Sequence, residues 1–209
     1  EFGVLQCVDV NTMTPVWSLN TGDNIDATPA LDLENGTDLA LYTGTTVFNL
    51  RRDGSCILRK LNGLTGEEIW SYTVPECTYH TDFELGLEAS PVVGQEGISD
   101  LVIFTVACGK NGSLVIALNK DDGKVAWQTA LPGSAISSPV AVYNEAGDAW
   151  IVQAELDGKI NLLDAKDGKV LSTVEIDGTL EASPAVYGDM LVIGATGRGK
   201  GAVYCFRIE

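Results

Sequence analysis

Four stretches of this 209-residue chain align with one another: Val8-Asp9…Trp17, Leu61-Asn62…Gly66…Trp70, Leu118-Asn119…Gly123…Trp127 and Leu163-Asp164…Gly168…Ser172. Each is followed by a hydroxylated residue and proline, at Thr28-Pro29, Ser90-Pro91, Ser138-Pro139 and Ser183-Pro184. One unit of roughly 45–60 residues therefore occurs four times, with boundaries near 4–55, 56–112, 113–158 and 159–209. A period of that size filled with short strands implies an array in which no unit buries its own core, so neighbours must supply it. Function is then expected in the loops and along the axis.

Each unit reads as four short strands. Leu114-Val115-Ile116-Ala117-Leu118 is apolar and β-branched, Asn119–Gly123 supplies a turn tolerant of positive φ, and Lys124-Val125-Ala126-Trp127 returns antiparallel. The same hairpin recurs over 160–172. A Ser-Pro strand follows, with proline at its start where a missing donor does least harm. Next come apolar runs ending in small residues, 39–44, 101–107, 150–154 and 190–195, as in a strand covered on both faces. No window holds a helical period of adequate length. The chain is expected to be all-β, one domain over 1–209.

Composition agrees, since 45% apolar residues can fill a core and 23 Gly with 7 Pro serve many turns. A net charge of −16 opposes phosphate backbones and anionic membrane surfaces, which excludes nucleic acid as a partner. No apolar run is long enough for a transmembrane helix. The chain opens on Glu1-Phe2 with no initiator Met, signal peptide or lipobox cysteine, so a processed or trimmed N-terminus is expected.

The units resemble the pyrroloquinoline-quinone-like, or quinoprotein-type, β-propeller repeat. The hairpins 117–127 and 163–170, the Ser-Pro strand after them and the Leu-Asp-Gly-Lys loop at 156–159 carry the likeness; in the first unit Met13 stands where the turn glycine belongs. The resemblance implies four-stranded antiparallel blades in a ring of seven or eight. About four blades in this chain would be part of such a ring, or half of one completed by a second copy. It also implies an extracytoplasmic protein of bacterial type, in the envelope or secreted. Two function classes follow: a noncatalytic scaffold that binds a protein or glycan through its blade loops, or a fragment of a quinone- or calcium-dependent dehydrogenase.

The scaffold is favoured on residues. The alcohol-oxidising branch carries adjacent cysteines, a tryptophan floor and a Glu/Asn/Asp calcium set, whereas Cys7, Cys56, Cys77, Cys108 and Cys205 are never adjacent here, and His80 is the single histidine. No catalytic residue is assigned, pyrroloquinoline quinone is not expected, and no cofactor is required; calcium is the one ion that the residues suit.

Three features are candidates for binding. Asp32, Asn35 and Asp38 alternate hard oxygens around a Gly-bent turn, as a calcium loop does; the same residues also read as an ordinary acidic turn. Asp26, Glu88 and Glu181, with Ile136 in the third unit, lie two residues before each hydroxylated residue of the proline step and would ring a channel mouth, or simply accept local backbone bonds. The irregular stretches 45–55 and 73–87 bring Arg51, Arg52, Tyr79, His80 and Phe83 into a partner loop, alternatively stapled by a Cys77–Cys108 disulfide. Five cysteines leave one over and the redox compartment open.

Overall fold

The computed structural model describes residues 3–48, 55–78, 85–197 and 199–208. Among them lie seventeen strands: β1 (Val4–Asp9), β2 (Thr14–Asn20), β3 (Ala30–Glu34), β4 (Asp38–Gly44), β5 (Ser55–Asn62), β6 (Glu68–Thr78), β7 (Val92–Val93), β8 (Leu101–Ala107), β9 (Ser113–Asn119), β10 (Val125–Leu131), β11 (Val140–Tyr143), β12 (Ala149–Ala154), β13 (Lys159–Asp164), β14 (Val170–Glu175), β15 (Ala185–Tyr187), β16 (Met190–Gly197) and β17 (Lys200–Arg207). All pairings between them are antiparallel. The sole helical turns among the described residues are 3-10, Glu96–Ile98 and Gly109–Asn111.

The strands form a β1–β2 hairpin, three four-stranded meanders (β3–β6, β7–β10, β11–β14) and the three-stranded β15–β17. Every meander starts just after its Ser/Thr-Pro step. The sequence unit, which starts at the hairpin, thus straddles two sheets, half in each. One expectation needs correcting: β6 runs to Thr78, so 73–78 is strand rather than irregular loop.

Sheets stack face on face. Tyr42 and Leu58 of the first meander meet Phe104 and Ile116 of the second. Ile103 and Val115 on the second sheet's other face meet Ile151 and Leu163. Val152 and Ile160 then meet Leu191 and Ile193. Alternate residues of β8 serve opposite neighbours, which explains why all seven are buried and why the strand reads as an unbroken apolar run. Sheets converge at their first strands, β3 lying against β7 and β11 against β15. There the serines of the Ser-Pro steps interlock: Ser90 N–H donates to Ser138 Oγ and Ser138 N–H to Ser183 Oγ, each at 2.9 Å.

Far from that seam, three of the four tryptophans make one contact three times. Trp17, Trp70 and Trp127 donate Nε1–H to the carbonyls of Gly63, Lys120 and Ala165 at 3.1, 2.8 and 2.9 Å. Each acceptor lies in the next sheet's hairpin turn, three residues before Gly66, Gly123 or Gly168. Those glycines hold φ of 77°, 68° and 73°, and a Cβ on any of them would sit within 2.7 Å of the indole. Glycine is demanded twice over, by backbone sign and by the ring above it. Met13, which no indole covers, takes the same region at φ 55°.

Candidate functional site

The turns between paired strands gather at two ends of the stack. At one end lie the hairpin turns carrying the glycines just described, together with 35–37 and 94–100. A cleft of about 490 Å³ opens there between the first two meanders, lined by Asp32, Asn35, Glu96, Asp100, Lys120 and Asp121 among others. Lys120, which lines it, and Lys60 are both buried. Lys60 Nζ donates to Glu34 Oε2 at 2.7 Å and to the Lys120 carbonyl at 2.9 Å. Lys120 Nζ donates to Asp32 Oδ2 at 2.7 Å and to the Gly94 carbonyl at 2.9 Å.

Tyr42 closes the network, donating to Glu34 Oε1 at 2.5 Å while its ring lies 5.7 Å under the Lys60 ammonium. Burial first, then that hydrogen bond, push the phenol far above its ordinary range. The Lys120 carbonyl also receives Trp70, so one backbone oxygen collects a lysine and an indole from the neighbouring sheet. Chemically the arrangement is a tie: each ammonium has a carboxylate and a carbonyl, and water is largely excluded.

The sequence candidates fall out as follows. Asp32 faces Lys120, and Asn35 takes positive φ (50°) in the β3–β4 turn. Asp38 pairs with Glu34 across that turn and accepts from Thr37 Oγ1. Asp32 and Asn35 both line the cleft, and among the described residues no group of three His, Cys, Asp or Glu is placed to hold a metal. A calcium-quinone centre does not fit the residues here: no cysteines are adjacent in the sequence, and Asp32 is engaged with Lys120.

Asp26 and Glu181 are exposed and Glu88 and Ile136 half-buried, at the opposite end, on the segments leading into the converging first strands. Arg51, Arg52, Tyr79, His80 and Phe83 lie outside the described residues.

Sequence reading missed three groups. The first is the Lys60 and Lys120 pair; Lys60 stands where the other units carry Cys7, Ala117, Leu162 and Cys205, a lysine in an apolar column that could have flagged it. The second is Glu155, fully buried, which accepts from Asn161 Nδ2 at 2.6 Å and from the Gly133 amide. The third is buried Gln153, which accepts from Thr105 Oγ1 at 2.6 Å and donates to the Ser137 and Ala154 carbonyls, so this amide sits inside the stack fully bonded.

The repeated Trp–Gly contact and the four-stranded meanders set the terms for comparison with known proteins. The family model of the outer membrane protein assembly factor BamB matches residues 111–207. BamB of Yersinia pestis is 29% identical over 88% of this chain and 44% of its own length. BamB of Escherichia coli K12 is 31% identical over 62% of this chain and 29% of its own. A crystal structure of BamB from Moraxella catarrhalis superposes with a TM-score of 0.60 at 19% identity, covering 97% of this chain and 52% of that one.

This chain is similar to the pyrroloquinoline-quinone-like repeat propellers and shares their fold. Its sheets are propeller blades, and the indole contacts are the joints between them. It spans less than half the length of the curated relatives it matches. The same repeat also occurs in a protein named for an activity: the beta-alanine-activating enzyme of Danio rerio is 30% identical over 49% of this chain, but over 9% of its own length. The repeat by itself thus fixes architecture and not chemistry.

Proposed function

We propose that this chain is a noncatalytic propeller segment of the bacterial cell envelope that holds a protein partner through its blade loops during outer membrane protein assembly. One observation supports this above the rest. The buried charged side chains Asp23, Arg59, Lys60, Lys120 and Glu155 all make hydrogen bonds inside the protein, and so act as structure. Recognition is left to the exposed turns at the two ends, on a rigid frame.

A protein is preferred to a glycan as partner because the relatives spanning most of this chain are named for protein assembly. The charge of −16 favours a basic surface on that partner. No helix among the described residues is long and apolar enough to cross a membrane.

The experiment is immobilisation of the chain and titration with purified E. coli outer membrane assembly machinery stripped of its own BamB. Saturable binding that weakens with salt is expected. In parallel, pyrroloquinoline quinone with calcium is added and the absorbance recorded. Absence of binding together with a new quinone absorbance band would replace the scaffold reading with the dehydrogenase-fragment reading.

A further inference from the structure

Three of the five cysteines converge on one spot. Cys56 opens β5, Cys77 lies near the end of β6, and Cys108 follows β8 in the neighbouring blade; their exposures are 0%, 0% and 5%. Cys77 Sγ turns off its own sheet and donates to the Ala107 carbonyl at 3.2 Å, the peptide group that carries Cys108. Cys108 Sγ lies 3.6 Å from the Val106 carbonyl. Ala107 is itself fixed, exchanging both backbone bonds with Gly86 at 2.9 Å. No disulfide joins any two of the five cysteines in this structure.

We propose that Cys77 and Cys108 are the two halves of a blade-to-blade disulfide, with Cys56 a third thiol beside it that stays reduced. Cys56 is the poorer partner because it sits where the β5–β6 register shifts, between Ser55 and Ile57, and faces no paired residue across the sheet, whereas the Cys77 sulfur bonds the next blade. Closing the bond is an exchange with a small-molecule disulfide: Cys77–SH + Cys108–SH + XSSX gives Cys77–S–S–Cys108 + 2 XSH, the two thiol protons passing to the leaving thiolates.

The surroundings also set when it closes. Cys108 donates toward Cys77 and so lowers its pKa, but the bond to Cys56 and burial outweigh that and leave the thiol well above the ordinary cysteine range. A protonated buried thiol attacks slowly, so the bridge forms while the chain folds and is afterwards shielded from reductant.

The test needs no variant. Reduced, denatured chain is refolded in oxidised and reduced glutathione, blocked with N-ethylmaleimide under denaturing conditions, and digested with trypsin. No Lys or Arg lies between Lys60 and Lys110, so Cys77 and Cys108 share the peptide 61–110 while Cys56 falls in 53–59. The expected result is a 61–110 peptide about 2 Da light and unlabelled, released to label twice after reduction, and a labelled 53–59 peptide. Cross-linked 53–59 and 61–110, or full labelling of all three cysteines, would overturn the proposal. As a second reading, reductant present during refolding should lower Tm of the wild type and of Cys56→Ala by roughly 5–15 °C, and leave Cys77→Ser unmoved. An equal response in Cys77→Ser would contradict it. Neither result depends on where the protein resides or what it binds.

Discussion

Replacing Gly123 with alanine tests whether the blades are joined through the indole contact. Gly123 holds φ of 68°, which alone costs an L-residue about 1–2 kcal/mol. Its new Cβ would also meet Trp70 at 2.7, 2.8 and 3.0 Å. The indole cannot simply yield, because Nε1 is bonded to the Lys120 carbonyl at 2.8 Å and the side chain is buried. Overpacking of this kind adds about 1–3 kcal/mol, for a total of about 2–5 kcal/mol.

Gly36→Ala is the internal control: its φ is 74°, but no atom lies within 4 Å of the added Cβ, so only the backbone cost of about 1–2 kcal/mol applies. Urea unfolding of both variants should therefore show Gly123→Ala worse by about 1–3 kcal/mol, or about 3–10 °C in Tm. In a Trp70→Leu background the difference should vanish. Equal destabilisation of the two glycine variants in the wild-type background would refute the joint.

Met13→Gly, which relieves φ of 55° at an exposed turn, should stabilise the first hairpin by about 1 kcal/mol in the same urea assay. Lys60→Met should cost about 3 kcal/mol, because Glu34 loses its ammonium partner and the Lys120 carbonyl one of its two donors, and Glu34→Gln added to it should recover part of that by removing the stranded charge. Tyr42 and Tyr143 should resist ionisation in a 295 nm titration. Burial raises Tyr143 against the Gln95 amide that donates to it, and burial with the Glu34 bond raises Tyr42. The folded state keeps these protons longer than the unfolded chain, so stability should be full below about pH 10 and fall as pH rises beyond it; Tyr42→Phe should flatten that fall.

The blades were legible because their signals are local. Asp9, Asn62 and Asp164 begin the hairpin turns, and their side chains accept from Asn11, from Leu64 and from Lys166, as the repeated Leu-Asn/Asp spacing requires. Ser-Pro was legible as a strand start but not as a joint, since its hydroxyl bonds a residue about one repeat away. The lysine ties were hidden for the same reason. Lys120 and Asp32 are 88 residues apart, and Asp32 beside Asn35 and Asp38 looks like a calcium loop until the next blade supplies an ammonium. The frame of the sheets was also hidden: the hairpin is the strongest sequence signal, yet hydrogen bonding starts a blade at the proline step, half a repeat later.

Competition with full-length E. coli BamB for its assembly machinery is the most direct test of the scaffold reading. Labelled BamB is bound to the purified machinery, this chain is titrated in, and the released label is read by fluorescence anisotropy. Displacement to completion is expected, with the salt dependence of an acidic surface on a basic one. Retention of all labelled BamB at saturating concentrations of folded chain would contradict the assignment.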